Sequence, residues 1–117
     1  MKQFLHFAEI KMADTFEQFD YGEPEKNAAH YGEDHEVHVP RIDLDKVGDK
    51  GVPIAMYAGK QDPLATVANA KRAQSEIGSA VIKLEEVENC NHASFHFGDL
   101  SYLTGVIELV KEKNPLP

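Results

Sequence analysis

Apolar positions divide the chain into three stretches with different rhythms. Over residues 1–18, Phe4, Leu5, Phe7, Ala8, Ile10, Met12 and Phe16 stand among polar residues at roughly the spacing of a helix face. Residues 19–50 are polar and dense in Gly, Pro, Asp and His, without sustained periodicity, and read as a long loop that ends in a short segment near Arg41–Leu44. A structureless stretch of that length is uncommon inside a compact domain unless it is functional or lies across another surface. From residue 51 onward strand and helix patterns alternate. Val52 to Ala58 is almost wholly apolar, as in a parallel strand covered on both faces. Asp62-Pro63 then reads as a helix start, with Leu64, Val67, Ala70, Ala73 and Ile77 on or near one face and Gly78 as the stop. In the segment from Ala80 to Val87, Ile82 and Leu84 alternate with Lys83 and Glu85, which suits a strand nearer a sheet edge. A last helix is expected to start around Phe97–Leu100, present Leu100, Leu103, Ile107 and Val110, and end in Lys111 and Lys113 before Pro115. No repeat or low-complexity tract interrupts this pattern.

The expectation is therefore an α/β fold over 51–117, strand–helix–strand–helix, with a right-handed crossover. Two strands are too few to stand alone, because a two-stranded sheet is marginal in water and a buried strand needs neighbours on its edges. The pattern itself points to an incomplete sheet.

Composition narrows the chemistry. The 117 residues carry 20 Asp plus Glu against 12 Lys plus Arg, a formal charge of −8, which argues against a phosphate-backbone ligand. No apolar run approaches the about 20 residues of a membrane span. His6, Glu9 and Lys11 break up any signal-peptide core at the start, so none is expected there. Cys90, the single cysteine, excludes a disulfide within the chain and a cysteine-based zinc site.

Functional groups of open parallel sheets gather beyond the carboxyl ends of the strands. The first strand leads to Gly59-Lys60-Gln61-Asp62, and the second to Glu88-Asn89-Cys90-Asn91-His92. Parallel neighbours would bring Asp62 and His92 out at one edge, where a carboxylate can fix the tautomer of an imidazole and stabilise its cation. The order Asp then His, one in each loop, is that of the α/β-hydrolases. Spacing leaves a second reading open: Asp before Pro is a common helix cap, and a loop histidine can be merely solvated.

The chain resembles the C-terminal portion of the acid lipase family, the α/β-hydrolases that include gastric and lysosomal acid lipases. The resemblance is carried by Leu5-His6-Phe7, Phe16, Phe19-Asp20-Tyr21-Gly22, Asn27, His30-Tyr31-Gly32, Ile42-Asp43, Val52-Pro53-Ile54-Ala55, Tyr57, Gly59, Asp62 with Leu64-Ala65, and Asn91-His92 with Phe95. It implies a partial α/β-hydrolase fold, the last two parallel strands with flanking helices, and places Asp62 as catalytic acid and His92 as catalytic base. It also implies lipid esters as substrates, a secreted or lysosomal setting, and no cofactor or metal. The sequence departs from the family at Gly59-Lys60, where two glycines are usual, and at Ala93-Ser94-Phe95, where Leu-Asp-Phe is usual after the histidine.

The nucleophile is missing. None of Ser75, Ser79, Ser94 and Ser101 lies in a G-x-S-x-G elbow, and the oxyanion hole of this fold is also built upstream. The chain is therefore expected to act as a segment of an ester hydrolase, with Asp62 and His92 completed by a serine from another polypeptide or a longer chain. The competing expectation is a catalytically inactive remnant that serves as an assembly or interaction piece.

Other groups invite simpler readings. His30, His35 and His38 with Glu33 and Asp34 have metal-ligating side chains but no spacing of a closed site, and solvated loop histidines account for them. His96 is expected to cap or pack locally. Cys90 follows Glu86 and Glu88, which disfavour a reactive thiolate, so an inert thiol is expected. Asp43, Asp45, Asp49, Glu85, Glu86 and Glu88 read as solvated surface. Phe16, Phe19, Tyr21 and Tyr31 suit either an acyl pocket or ordinary packing beneath the loop.

Overall fold

The computed structural model describes residues 1–114, in two compact units that divide after Asp43. In the first, α1 spans Lys2–Ala13 and ends where Asp14 turns into the left-handed region at φ 52°. Aspartate tolerates that conformation, so the helix stops short of the expected 18 residues. Beyond it, Gln18 N–H donates to the Pro40 carbonyl at 2.9 Å and Ile42 N–H to the Phe16 carbonyl at 2.8 Å, around an antiparallel bridge between Glu17 and Arg41.

The stretch 19–50, expected as a loop, holds two short α-helices, α2, Pro24–Tyr31, and α3, Asp45–Gly48, the latter in the second unit, and a 3-10 turn at Glu33–His35. Pro24 opens α2 and Gly32, at φ 100°, closes it with its N–H on the Ala28 carbonyl. Eight residues and four residues are too short to display a periodic apolar face, so Pro and Gly stood out as loop signals although here they mark helix ends. Asn27 holds this region together. Only 2% exposed, it accepts from Tyr21 N–H and donates to Asp20 Oδ1 and to the Glu36 carbonyl.

The second unit is built on two parallel strands, β1 (Ile54–Gly59) and β2 (Val81–Val87), paired from Ile54 opposite Val81 to Gly59 opposite Val87, with one irregularity after Ile54. Helix α4, Val67–Ile77, connects them and packs on both, while α3 packs on α4. It starts at Val67 rather than at Asp62-Pro63, because Thr66 takes the capping position and accepts the Asn69 N–H at 3.2 Å. Gly78, at φ 75°, ends it with its N–H on the Gln74 carbonyl.

The expected last helix begins later than Phe97–Leu100, at Tyr102, and a separate short helix precedes it. α5 covers Ser94–Phe97, Gly98 closes it, Asp99 Oδ1 accepts the Ser101 N–H, and α6 runs Tyr102–Lys113. Tyr102 anchors α6, with its ring 5.9 Å from that of Tyr57 on β1 and edge-on to Phe95 at 5.4 Å. Lys111 and Lys113 lie in the last turn, and Pro115 lies outside the described residues.

Among the described residues the buried apolar side chains are Ala58 and Cys90, and the sheet has two strands. Ala55 of β1 is exposed, so the strand is not covered on both faces as its composition suggested. No described helix is long and apolar enough to cross a membrane.

Candidate functional site: an aspartate–histidine pair at the strand ends

Parallel pairing carries both strand ends to one edge, and the loops beyond are stitched to each other by backbone. Lys60 N–H donates to the Val87 carbonyl at 3.0 Å and Gln61 N–H to the Cys90 carbonyl at 2.9 Å. Gly59 permits the approach: a Cβ there would collide with the Cys90 carbonyl. Lys60 also pairs with Glu88 across the loops, which raises the lysine pKa, although both side chains are exposed and such a pair adds little stability.

Asp62 follows this stitch. Pro63 has no N–H, so Asp62 Oδ1 accepts instead from the N–H groups of Leu64 (2.8 Å) and Ala65 (2.9 Å). Those two bonds fix the carboxylate plane and leave Oδ2 for His92, whose Nδ1 lies 2.9 Å away. The helix-cap reading of Asp62 is thus replaced: it organises the turn before α4, and the cap itself is Thr66. The Asp62 side chain is 2% exposed, whereas that of His92 is 62% exposed. Burial pushes the Asp62 carboxyl up, but the Ala65 N–H, His92 and the Leu64 N–H outweigh it and hold it below the usual carboxylate range. An ionised carboxylate can only accept, so His92 Nδ1 carries the proton in this bond. In neutral imidazole that leaves Nε2 as an acceptor, and no hydrogen bond among the described residues engages it. Chemically, this is a base whose far nitrogen is free and whose near nitrogen is fixed by a buried anion.

The turn carrying His92 has its own frame. Asn91 Oδ1 accepts the N–H groups of Ala93 (3.0 Å) and Ser94 (3.1 Å), and Ser94 Oγ accepts the Asn91 N–H at 3.0 Å. The sequence assigns Asn91 to the resemblance and Ser94 to a departure from it, without a structural role for either. The Asn-x-x-Ser spacing, a reciprocal capping pattern, is the signal for that role.

None of the other singled-out groups hydrogen-bonds Asp62 or His92 among the described residues. A cavity of about 350 Å³ neighbours the His92 loop, but Glu85, Glu86, Glu88 and Asp99 line it, and neither Asp62 nor His92 does. Cys90 is buried, its thiol 3.7 Å from the Asn91 carbonyl. His96 is exposed beside Phe97. In the first unit, His30 stacks on Tyr21 at 4.1 Å and His35 Nδ1 donates to the His38 carbonyl. No group of three metal-ligating side chains converges among the described residues. Phe19 lies edge-on to Tyr21, Tyr31 donates its hydroxyl to the Phe19 carbonyl, and Lys2 donates to the Tyr21 hydroxyl at 2.7 Å.

No family model matches the chain. Among curated proteins it is 28% identical to mouse (Mus musculus) lipase member K over 98 residues, which is 84% of this chain and 23% of that protein. It is 30% identical to bovine (Bos taurus) gastric triacylglycerol lipase over 91 residues, 78% of this chain and 21% of that lipase. The matched segment thus spans between a fifth and a quarter of each relative. With a parallel strand pair flanked by helices, the chain has a partial α/β-hydrolase fold and is similar over most of its length to lipases.

Proposed function

We propose that the chain is the C-terminal segment of an acid-lipase-like ester hydrolase acting on lipid esters, and that Asp62 and His92 are the acid and base of its Ser–Asp–His triad. The observation that supports this most is the 2.9 Å bond from His92 Nδ1 to a sequestered Asp62, with Nε2 left without a hydrogen bond among the described residues. The serine and the oxyanion hole come from polypeptide beyond these 117 residues. In the completed site His92 Nε2 takes the proton of the serine hydroxyl as its oxygen attacks the ester carbonyl carbon. The tetrahedral intermediate collapses, the alcohol leaves with the proton from Nε2, and an acyl-serine remains. Water then repeats the sequence, with His92 again as base, and releases the fatty acid. Asp62 stays ionised throughout, orienting the ring and stabilising its cation.

Hydrolysis of a p-nitrophenyl fatty ester tests this. The 117-residue chain alone is expected to give no turnover, and the chain joined to a segment carrying the G-x-S-x-G serine is expected to turn over. Robust turnover by the chain alone, abolished by His92→Ala, would contradict the external nucleophile. A joined protein that folds but stays inactive favours the second reading, an inactive assembly piece. That reading is motivated by the exposed stripe Leu103, Ile107 and Val110 on α6, at 37%, 52% and 54%.

A further inference from the structure

The His92 ring is 62% exposed, and among the described residues no aromatic ring packs on it. Packing therefore contributes little to its orientation, and the ring itself is held by one hydrogen bond to Asp62. The backbone on either side of residue 92 is, by contrast, tied down. Upstream, the Cys90 carbonyl accepts the Gln61 N–H, next to Asp62 itself. Downstream, Asn91 and Ser94 close a reciprocal ring: one amide oxygen takes two N–H groups, and the serine hydroxyl takes the asparagine N–H in return. His92 is the first residue inside that ring. A carboxylate at position 94 could accept the same N–H as the Ser94 hydroxyl does.

We propose that Asn91 and Ser94 are positioning residues that act through His92, locking its loop so that Nδ1 stays on Asp62 and Nε2 points outward. The inference rests on the reading of Asp62 and His92 as the acid and base, and its test reads the imidazole directly rather than turnover. In the full 117-residue chain, the ring nitrogens of His92 are followed by nitrogen-15 NMR at a pH where the ring is neutral. The wild type is expected to show the Nδ1-protonated tautomer and a protected Nδ1 proton. Asn91→Ala and Ser94→Ala are expected to mix the tautomers and speed exchange of that proton by about 2- to 30-fold, the range that loss of a capping bond implies. Asn91→Asp and Ser94→Asp keep the acceptors and are expected to restore the wild-type signature. The amide signals of Leu64 and Ala65, which report the Asp62 turn, are expected to stay in place in all four variants.

Wild-type tautomer and exchange in both alanine variants would overturn the positioning role while leaving the Asp62–His92 pair standing. A wild-type ring without the Nδ1 proton would overturn the pair and the lock together. Should the alanine variants unfold, the aspartate variants decide: a mixed tautomer in a folded Asn91→Asp chain contradicts the proposal.

Discussion

The behaviour of Asp62 follows from counting the donors that converge on it. Two backbone N–H groups and an imidazole converge on one nearly inaccessible carboxylate, and its pKa falls despite burial. A depressed folded pKa has a definite sign for stability. Above the unfolded value, about 3.9, the ionised group contributes fully, and the contribution is lost as pH falls from there through the lower folded value. Denaturation followed between pH 5 and 2 is expected to show a steeper acid loss for wild type than for Asp62→Asn. Parallel acid limbs would contradict the assignment. Spacing alone left the roles of Asp62 and His92 open, but their emergence at one edge was legible in the sequence because strand and loop patterns coincide at 59–62 and 88–92. The Asn91–Ser94 ring was not, since its meaning depends on which backbone N–H groups the turn leaves without partners.

At the scale of elements, two substitutions separate stability from site geometry. Thr66→Ala removes the cap of α4 and is expected to cost about 1 kcal/mol, read by chemical denaturation, with the His92 ring signals unchanged. Gly59→Ala places a methyl against the Cys90 carbonyl and is expected to part the two loops, which weakens the Asp62–His92 bond. An unperturbed His92 in Gly59→Ala would show that the loops are not held by this contact. The strand and α4 patterns read well because apolar runs and an eleven-residue helix exceed the length at which periodicity shows. Helices α2, α3 and α5 have eight, four and four residues, and their signals are ends rather than faces. The break between α5 and α6 rests on Gly98 and Asp99, which the run from Phe97 to Leu100 concealed.

For the molecule as a whole, sheet and surface support one reading together. A parallel pair is the smallest possible sheet, its strand β1 has an apolar sequence yet exposes Ala55, and α6 leaves an apolar stripe uncovered among the described residues. The similarity to lipases, spread over 84% of this chain but 23% of lipase member K, suits a segment that works against further polypeptide. The formal charge of −8 carries no information about the Asp62–His92 pair, which depends on two side chains. The central claim is that His92, oriented by Asp62, activates a serine supplied from outside these residues. Its most direct measurement is the rate at which a fluorophosphonate modifies that serine in the joined protein, because the modification requires proton removal but no product release. His92→Ala is expected to slow it by about 100-fold to 10,000-fold, the range of a lost general base, and Asp62→Asn is expected to slow it as well. A rate within about twofold of wild type in a folded His92→Ala protein, far below that range, would contradict the account.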